Sequence, residues 1–246
     1  MDILKKATGF ILLRKNFRST SKIIDFYSKE YGRLLLLAKG IRDGKNYLNG
    51  SLEPLNCCEI IFYKKENQTI YFVKDAFLLY NFPLIIKEYK KYSQIFDLNR
   101  FLSFILPLEE KNEEVFRLYL LTLFFINFLP YDKIRNIILS FYLKTIALIG
   151  FQPSLLACLK CEKKLFQKKD VFFDTKKGGI LCSNCQKESK NSFLIDKKIL
   201  ENLWHLSFIP YSKLLDYQIF PETEKIIKIY LNYHLTDSLT LRKILL

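Results

Sequence analysis

Hydrophobic and polar positions alternate with two different rhythms along this chain, and the change comes near residue 80. Before it, short apolar or aromatic runs are separated by polar or Gly-containing turns: Gly9-Phe-Ile-Leu-Leu, Ile23-Ile-Asp-Phe-Tyr, Leu34-Leu-Leu-Leu-Ala, Glu59-Ile-Ile-Phe-Tyr and Thr69-Ile-Tyr-Phe-Val. Five strands between residues 9 and 77 match the size of a five-stranded Greek-key barrel, the OB-fold. A small sandwich or an SH3-like barrel fits the same periodicity. The Gly-, Asn-, Asp- and Lys-rich stretch from Ile41 to Pro54 predicts a long loop on it.

From about Tyr80 the spacing turns helical. Pro83 opens a first helix through Tyr92, because its missing N–H is unpaired at a helix start anyway. A short one follows from Leu98 to Leu106 and stops at Pro107. Glu113 and Glu114 favour the positive end of a long helix through Leu129. Asp132 caps the next, Lys133 to Ile149, which ends on Gly150. Asp196 caps another through Leu206, and Pro221 opens a last one to His234. The fold class expected is α+β: an OB-fold barrel over residues 1–80, then a helical domain over 81–246 with an insertion at about 155–190.

That insertion carries the clearest chemistry. Cys158-Leu-Lys-Cys161 and Cys182-Ser-Asn-Cys185 are two C-x-x-C pairs separated by twenty residues. Each pair closes a tight knuckle whose sulfurs point to a common centre, so Cys158, Cys161, Cys182 and Cys185 fit one tetrahedral zinc ion. Four thiolates leave no position for water, which makes the Zn2+ structural. A dithiol redox site and a pair of disulfides compete. The first needs a single C-x-x-C at a helix start after a strand; the second needs an oxidising compartment. Phe172-Phe-Asp and Lys176-Lys-Gly-Gly predict short strands with a turn between the pairs. Cys57 and Cys58 read as buried thiols.

The net charge is +14, from 39 basic and 25 acidic residues among 246. A polyanion is the partner this asks for, although a Lys-rich composition accounts for part of it. Residues 1–80 hold 14 basic and 8 acidic side chains, a denser excess than in the remainder. Arg14, Lys15, Arg18 and Lys22 lie on and after the first strand; Arg33, Lys39, Arg42 and Lys45 lie on and after the third. Phe17, Tyr27 and Tyr31 lie among them. Cations that track a backbone and rings that accept bases suit single-strand binding; the competing reading packs those rings into the barrel core.

Other classes find little support. The Met1-Asp-Ile-Leu-Lys-Lys start has no apolar signal core. The run from Val115 to Leu129 is short of the roughly 20 residues a bilayer requires, so no membrane association and a cytoplasmic chain are expected. No phosphate-cradling glycine motif occurs, and no His-x-Glu precedes the cysteines as a zinc deaminase needs. His205 and His234 stand alone, so the expectation is that the chain is not an enzyme.

Taken in order, five stretches resemble the bacterial recombination-mediator family RecO. They are Gly9-Phe-Ile-Leu with Ser19-Thr-Ser-Lys-Ile-Ile24; Tyr31-Gly-Arg-Leu34 with Ala38-Lys-Gly-Ile-Arg42; Leu148-Ile-Gly-Phe-Gln-Pro153 before the first cysteine pair; Gly178-Gly-Ile-Leu-Cys182; and Tyr233-His-Leu235. Where the family often has Gly after the second cysteine this chain has Glu162, and Ser183 stands where a Pro is common. The resemblance implies a DNA repair and homologous recombination mediator that binds single- and double-stranded DNA and anneals complementary strands. It implies RecR as a partner, the C-terminal tail of single-strand binding protein (SSB) docked in the helical domain, and help in loading RecA. Arg117 and Lys144 are the candidates for that tail. A zinc-ribbon adaptor that binds protein and not DNA is the other reading, and a hydrolase with an unrecognised site is a third.

Overall fold

The computed structural model describes residues 3–42, 48–168 and 170–235. Each of the five apolar runs near the N-terminus is a strand: β1 (Ile3–Phe17), β2 (Ser21–Ser28), β3 (Gly32–Ala38), β4 (Cys57–Lys64) and β5 (Ile70–Tyr80). They hydrogen-bond in the order β1-β2-β3-β5-β4 and close into a barrel. Closure needs β1 to pair on both edges, with β2 and with β4. That explains its 15 residues, where its apolar run alone would suggest five. Neighbours are antiparallel except β3 and β5, which run parallel from Leu35↔Ile70 to Leu37↔Phe72.

Period-two patterning fills the interior. Along β3, Leu34, Leu36 and Ala38 point inward, while Arg33, Leu35 and Leu37 are only partly covered. Ile11, Ile24, Phe26, Ile60 and Phe62 complete the core, and Leu48, from the short helix α1 (Leu48–Ser51), closes it together with Leu52.

Three helices follow: α2 (Pro83–Lys87), α3 (Tyr89–Ile105) and α4 (Glu113–Phe128). The break expected between Tyr92 and Leu98 is absent. α3 is continuous because Lys91, Ile95, Leu98 and Leu102 keep one face buried at helical spacing. The interruption falls instead at Glu88, which is extended at φ −110°, ψ 102°. There α2 turns off so that the Leu84 and Ile85 amides can donate to the Asn127 carboxamide.

α3 and α4 are joined to the barrel by buried polar contacts. Arg33 grips Asp25 with Nε and Nη2, at 2.8 and 3.0 Å, and also donates to the Leu106 carbonyl and the Ser103 hydroxyl. The fully buried Asn99 donates to the Leu12 carbonyl at 2.9 Å and accepts from the Tyr119 hydroxyl. Tyr27 is equally buried, packs on Phe116 and donates to the Asn112 carbonyl. Gly32, at φ +69°, lies where a Cβ would sit 2.0 Å from the Glu110 carbonyl oxygen. Only glycine permits that approach. These elements form one compact unit, Met1–Phe128; the second is Leu129–Leu246.

In the second unit a 3-10 turn, Tyr131–Lys133, precedes α5 (Ile134–Leu148), so Asp132 does not serve as its cap. Gly150 ends that stretch at φ +98°. A sheet of order β7-β6-β8 follows, from β6 (Asp170–Asp174), β7 (Gly179–Leu181) and β8 (Ser192–Asp196). α6 (Lys197–Phe208) begins at Asp196, whose carboxylate accepts from the Ile199 amide at 2.9 Å. α7 (Pro221–His234) starts at its proline. Among the described residues no helix is long and apolar enough to cross a membrane.

Breaking a largely buried ion pair strands its partner. Arg33→Ala is therefore expected to destabilise the first unit by about 3 kcal/mol, read from urea unfolding. A loss within error of zero would contradict the buried role.

Candidate nucleic-acid interface and metal centre

One end of the barrel opens as a cleft of about 500 Å³. The β1–β2 turn contributes Phe17 and Arg18, β2 Ile23, and the end of β3 Leu37 and Lys39. The β4–β5 turn contributes Asn67, Gln68 and Thr69, and β5 adds Ile70 and Phe72. Both turns are tight: Arg18 and Asn67 stand at φ +53° and +60°. The rings meet cations here. Lys39 Nζ lies 4.3 Å from the centre of the Phe72 ring, and the Arg18 guanidinium 5.3 Å from that of Phe17. Phe72 is 37% exposed, which leaves ring surface open to a ligand.

The predicted cations fall into groups. Arg18 and Lys39 line the cleft, and Arg42 is tied to its rim by a bond to the Arg18 carbonyl and by its amide to Thr20. Lys15 is exposed on β1. Lys22 is half-buried; burial and then the Arg14 charge lower its ammonium below the ordinary value, the Glu53 carboxylate opposes them, and Arg42 adds a smaller lowering. Arg14 pairs with Glu53 and reaches Asn49. Arg33 belongs to the buried junction with Asp25 and not to this surface. Lys45 lies outside the described residues.

The aromatics sort in the same way. Tyr27 packs in the interior, and Tyr31 sets its ring edge-on to Phe62 at 5.9 Å. Phe72 and the Asn67–Thr69 turn escaped the sequence reading. Phe72 sat in a strand pattern whose alternate faces cannot be told apart without the register, and the turn's only signal was polarity.

The four cysteines meet in the second unit. Their Sγ atoms all lie within 4.8 Å of one another. Cys161 and Cys182 are 3.8 Å apart, and a tetrahedron with metal–sulfur bonds of about 2.3 Å has edges of about 3.8 Å. The separation far exceeds a disulfide bond. The backbone is arranged around sulfur: Glu162 donates to the Cys158 carbonyl, and Cys185 and Gln186 both donate to that of Cys182. Burial alone would raise the Cys158 thiol. Hydrogen bonds from the Cys161, Cys182 and Lys160 backbone nevertheless bring it down to about 6. Cys185, hydrogen-bonded to the Cys182 sulfur and partly desolvated, is pushed up to about 12. Four sulfurs this close cannot all ionise without a cation among them, which is the chemistry of a metal centre.

Local sequence sets this geometry. The Gly178–Gly179 step lets β7 pass close to Ser154, since a Cβ on Gly179 would meet the Ser154 carbonyl oxygen at 2.7 Å. Asp174 holds the β6–β7 turn by accepting from the Lys177 amide and the Ser189 hydroxyl. Glu162 takes φ +58°, a conformation that suits glycine. Cys57 and Cys58 are remote from this centre in the chain, on β4, with thiols raised by burial to about 11 and 12.

Residues 1–82 match the family model described as Recombination protein O N terminal, and residues 87–243 the one described as Recombination protein O C terminal. A DNA repair protein RecO of Caldanaerobacter subterraneus subsp. tengcongensis is 29% identical over 235 residues, covering 93% of this chain and 92% of the relative. One from Thermodesulfovibrio yellowstonii is 30% identical over 216 residues, covering 84% and 83%. One from Thermoanaerobacter sp. is 27% identical over 240 residues, covering 96% and 94%. A barrel followed by helices and a four-cysteine module thus belongs with the DNA-repair proteins. The chain is a member of the RecO family, as the five stretches of resemblance led one to expect.

The cysteine geometry predicts about one tightly held divalent metal ion per chain. Elemental analysis of purified protein should find it and should find much less in Cys161→Ser, with a lower melting temperature. Equal metal content in the two would contradict the site.

Proposed function

We propose that this RecO-family chain is a non-enzymatic recombination mediator whose barrel is an OB-fold that binds DNA. The observation that carries the reading is the cleft. It lies against the β2–β3 face and between the β1–β2 and β4–β5 turns, the region where OB-folds take oligonucleotides. Lys39 beside Phe72 and Arg18 beside Phe17 offer each nucleotide a cation for its phosphate and a ring for its base. Arg14, Lys15, Lys22 and Arg42 would extend the positive surface along the backbone; Arg33 has no part in it. In this reading the DNA-binding domain is residues 1–80.

Annealing requires only that repulsion between two phosphate chains be screened while the bases stay exposed. A chain with a net charge of +14 can do that without ATP. The four cysteines would hold a structural Zn2+ that fixes the fold of the second unit and takes no part in chemistry. The family resemblance supports RecR and the acidic SSB tail as protein partners, RecA loading as the outcome, and a cytoplasmic, nucleoid-associated setting.

A salt titration of a fluorescent single-stranded oligonucleotide tests this. Lys39→Ala with Arg42→Ala should weaken binding and reduce the slope of log K against log salt by about 2. An unchanged slope removes the barrel as the binding face. Absence of oligonucleotide binding by the intact chain at low salt would favour the zinc-ribbon adaptor.

A further inference from the structure

The second unit carries its own aromatic and cationic surface. On α6, Lys197, Glu201, Trp204 and Phe208 follow one another at i, i+4, i+7 and i+11 and so share one side of the helix. Trp204 meets both Phe208 and Phe166 at 5.6 Å between ring centres. Leu156 extends the apolar strip, because its carbonyl accepts from the Leu165 amide next to Phe166. These groups are not core: Phe208 is 42% and Leu156 52% exposed, and Trp204 and Phe166 are half-covered.

Cations border this ridge. Lys163, Lys164 and Lys168 are exposed on the segment that carries Phe166, and none is ion-paired among the described residues. Lys197 answers Glu201 at 3.6 Å, which removes the one acid on the ridge face of α6 as a source of repulsion. Between residues 155 and 198 the chain has eleven lysines, no arginine and five acidic residues.

We propose that this ridge binds a single nucleic-acid strand, with bases on Phe166, Trp204 and Phe208 and phosphates on the flanking lysines. Two features favour a nucleic acid over an acidic peptide. Three of the four apolar side chains are aromatic, with Trp204 in contact with both Phe166 and Phe208, and ring faces are what bases stack on. The flanking cations are all ammonium groups, which bind phosphate as point charges and impose no fixed geometry on a chain that passes them. The proposal rests on the DNA-binding reading and deepens it. A chain with one strand site on each unit can hold both partners of an annealing reaction, each raising the local concentration of the other.

Trp204 is the only tryptophan of the chain, so its emission reports the ridge without a label. The full-length protein is titrated with oligothymidylate while tryptophan emission and the anisotropy of a dye on the oligonucleotide are followed together. Saturable quenching is expected in the native chain and in Lys39→Ala/Arg42→Ala. It should require about tenfold more oligonucleotide in Lys163→Ala/Lys164→Ala/Lys168→Ala, with a salt slope lower by about 3. That triple variant, altered only at exposed positions, should also anneal more slowly. Rising anisotropy with unmoved emission would overturn the ridge and leave the barrel reading intact. No change in either signal would defeat both. Quenching by polyglutamate but not by oligothymidylate would assign the ridge to an acidic peptide and overturn the proposal.

Discussion

The Asp25–Arg33 pair is the constraint on which the first unit depends. Both side chains are largely removed from water, so their attraction must offset a desolvation cost of several kcal/mol per ion. Alone the pair would do little more than break even. It is retained in a network: Ser103 donates to Asp25, and Arg33 reaches the Leu106 carbonyl as well. The network fixes where the α3 C-terminus meets the barrel. The backbone then continues the same join, with the Glu109 amide donating to the Arg33 carbonyl at 2.8 Å and Leu108 bridging to Arg33. Glu109 itself accepts from Lys64 and Tyr71 on β4 and β5. Helices and barrel are one object because polar groups on both sides partner one another across the join.

This has a consequence for the ligand face. β3 begins at the junction with Gly32 and Arg33 and ends in the cleft with Leu37 and Lys39. One strand therefore carries both the fixed end and the open end. Lys39 already lies over Phe72 in this structure, so under the proposed function the cation and the ring would not have to be ordered on binding, which would lower the entropic cost of association. In the second unit the four sulfurs bring the two knuckles together beside the short β6 and β7, and a metal ion among them would add the same kind of constraint.

Much of this was legible in the sequence, and the failures have physical causes. Strand positions were readable because apolar runs between turns mark half-buried strands. Strand lengths were not, since β1 continues through Lys5, Lys6 and Lys15 on pairing alone. The convergence of the four cysteines was legible because two C-x-x-C pairs are a local geometric statement. β8 was missed: Ser192-Phe-Leu-Ile-Asp196 is short, ends in polar residues and exists by pairing with β6. Arg33 was grouped with surface cations because a strand cation shows no sign of its partner. The available clue was Asp25, a lone carboxylate inside the apolar run Ile23-Ile-Asp-Phe-Tyr, which had to find a cation.

The central claim is that the barrel is closed to ligand at its helix junction and open at the cleft. Amide hydrogen exchange of the intact protein with and without a saturating single-stranded oligonucleotide tests this most directly. Within the first unit, added protection is predicted at residues 17–23, 37–42 and 67–72, with none at 25–34 or 99–112. Protection centred on the junction segments, with the cleft segments unchanged, would contradict the account.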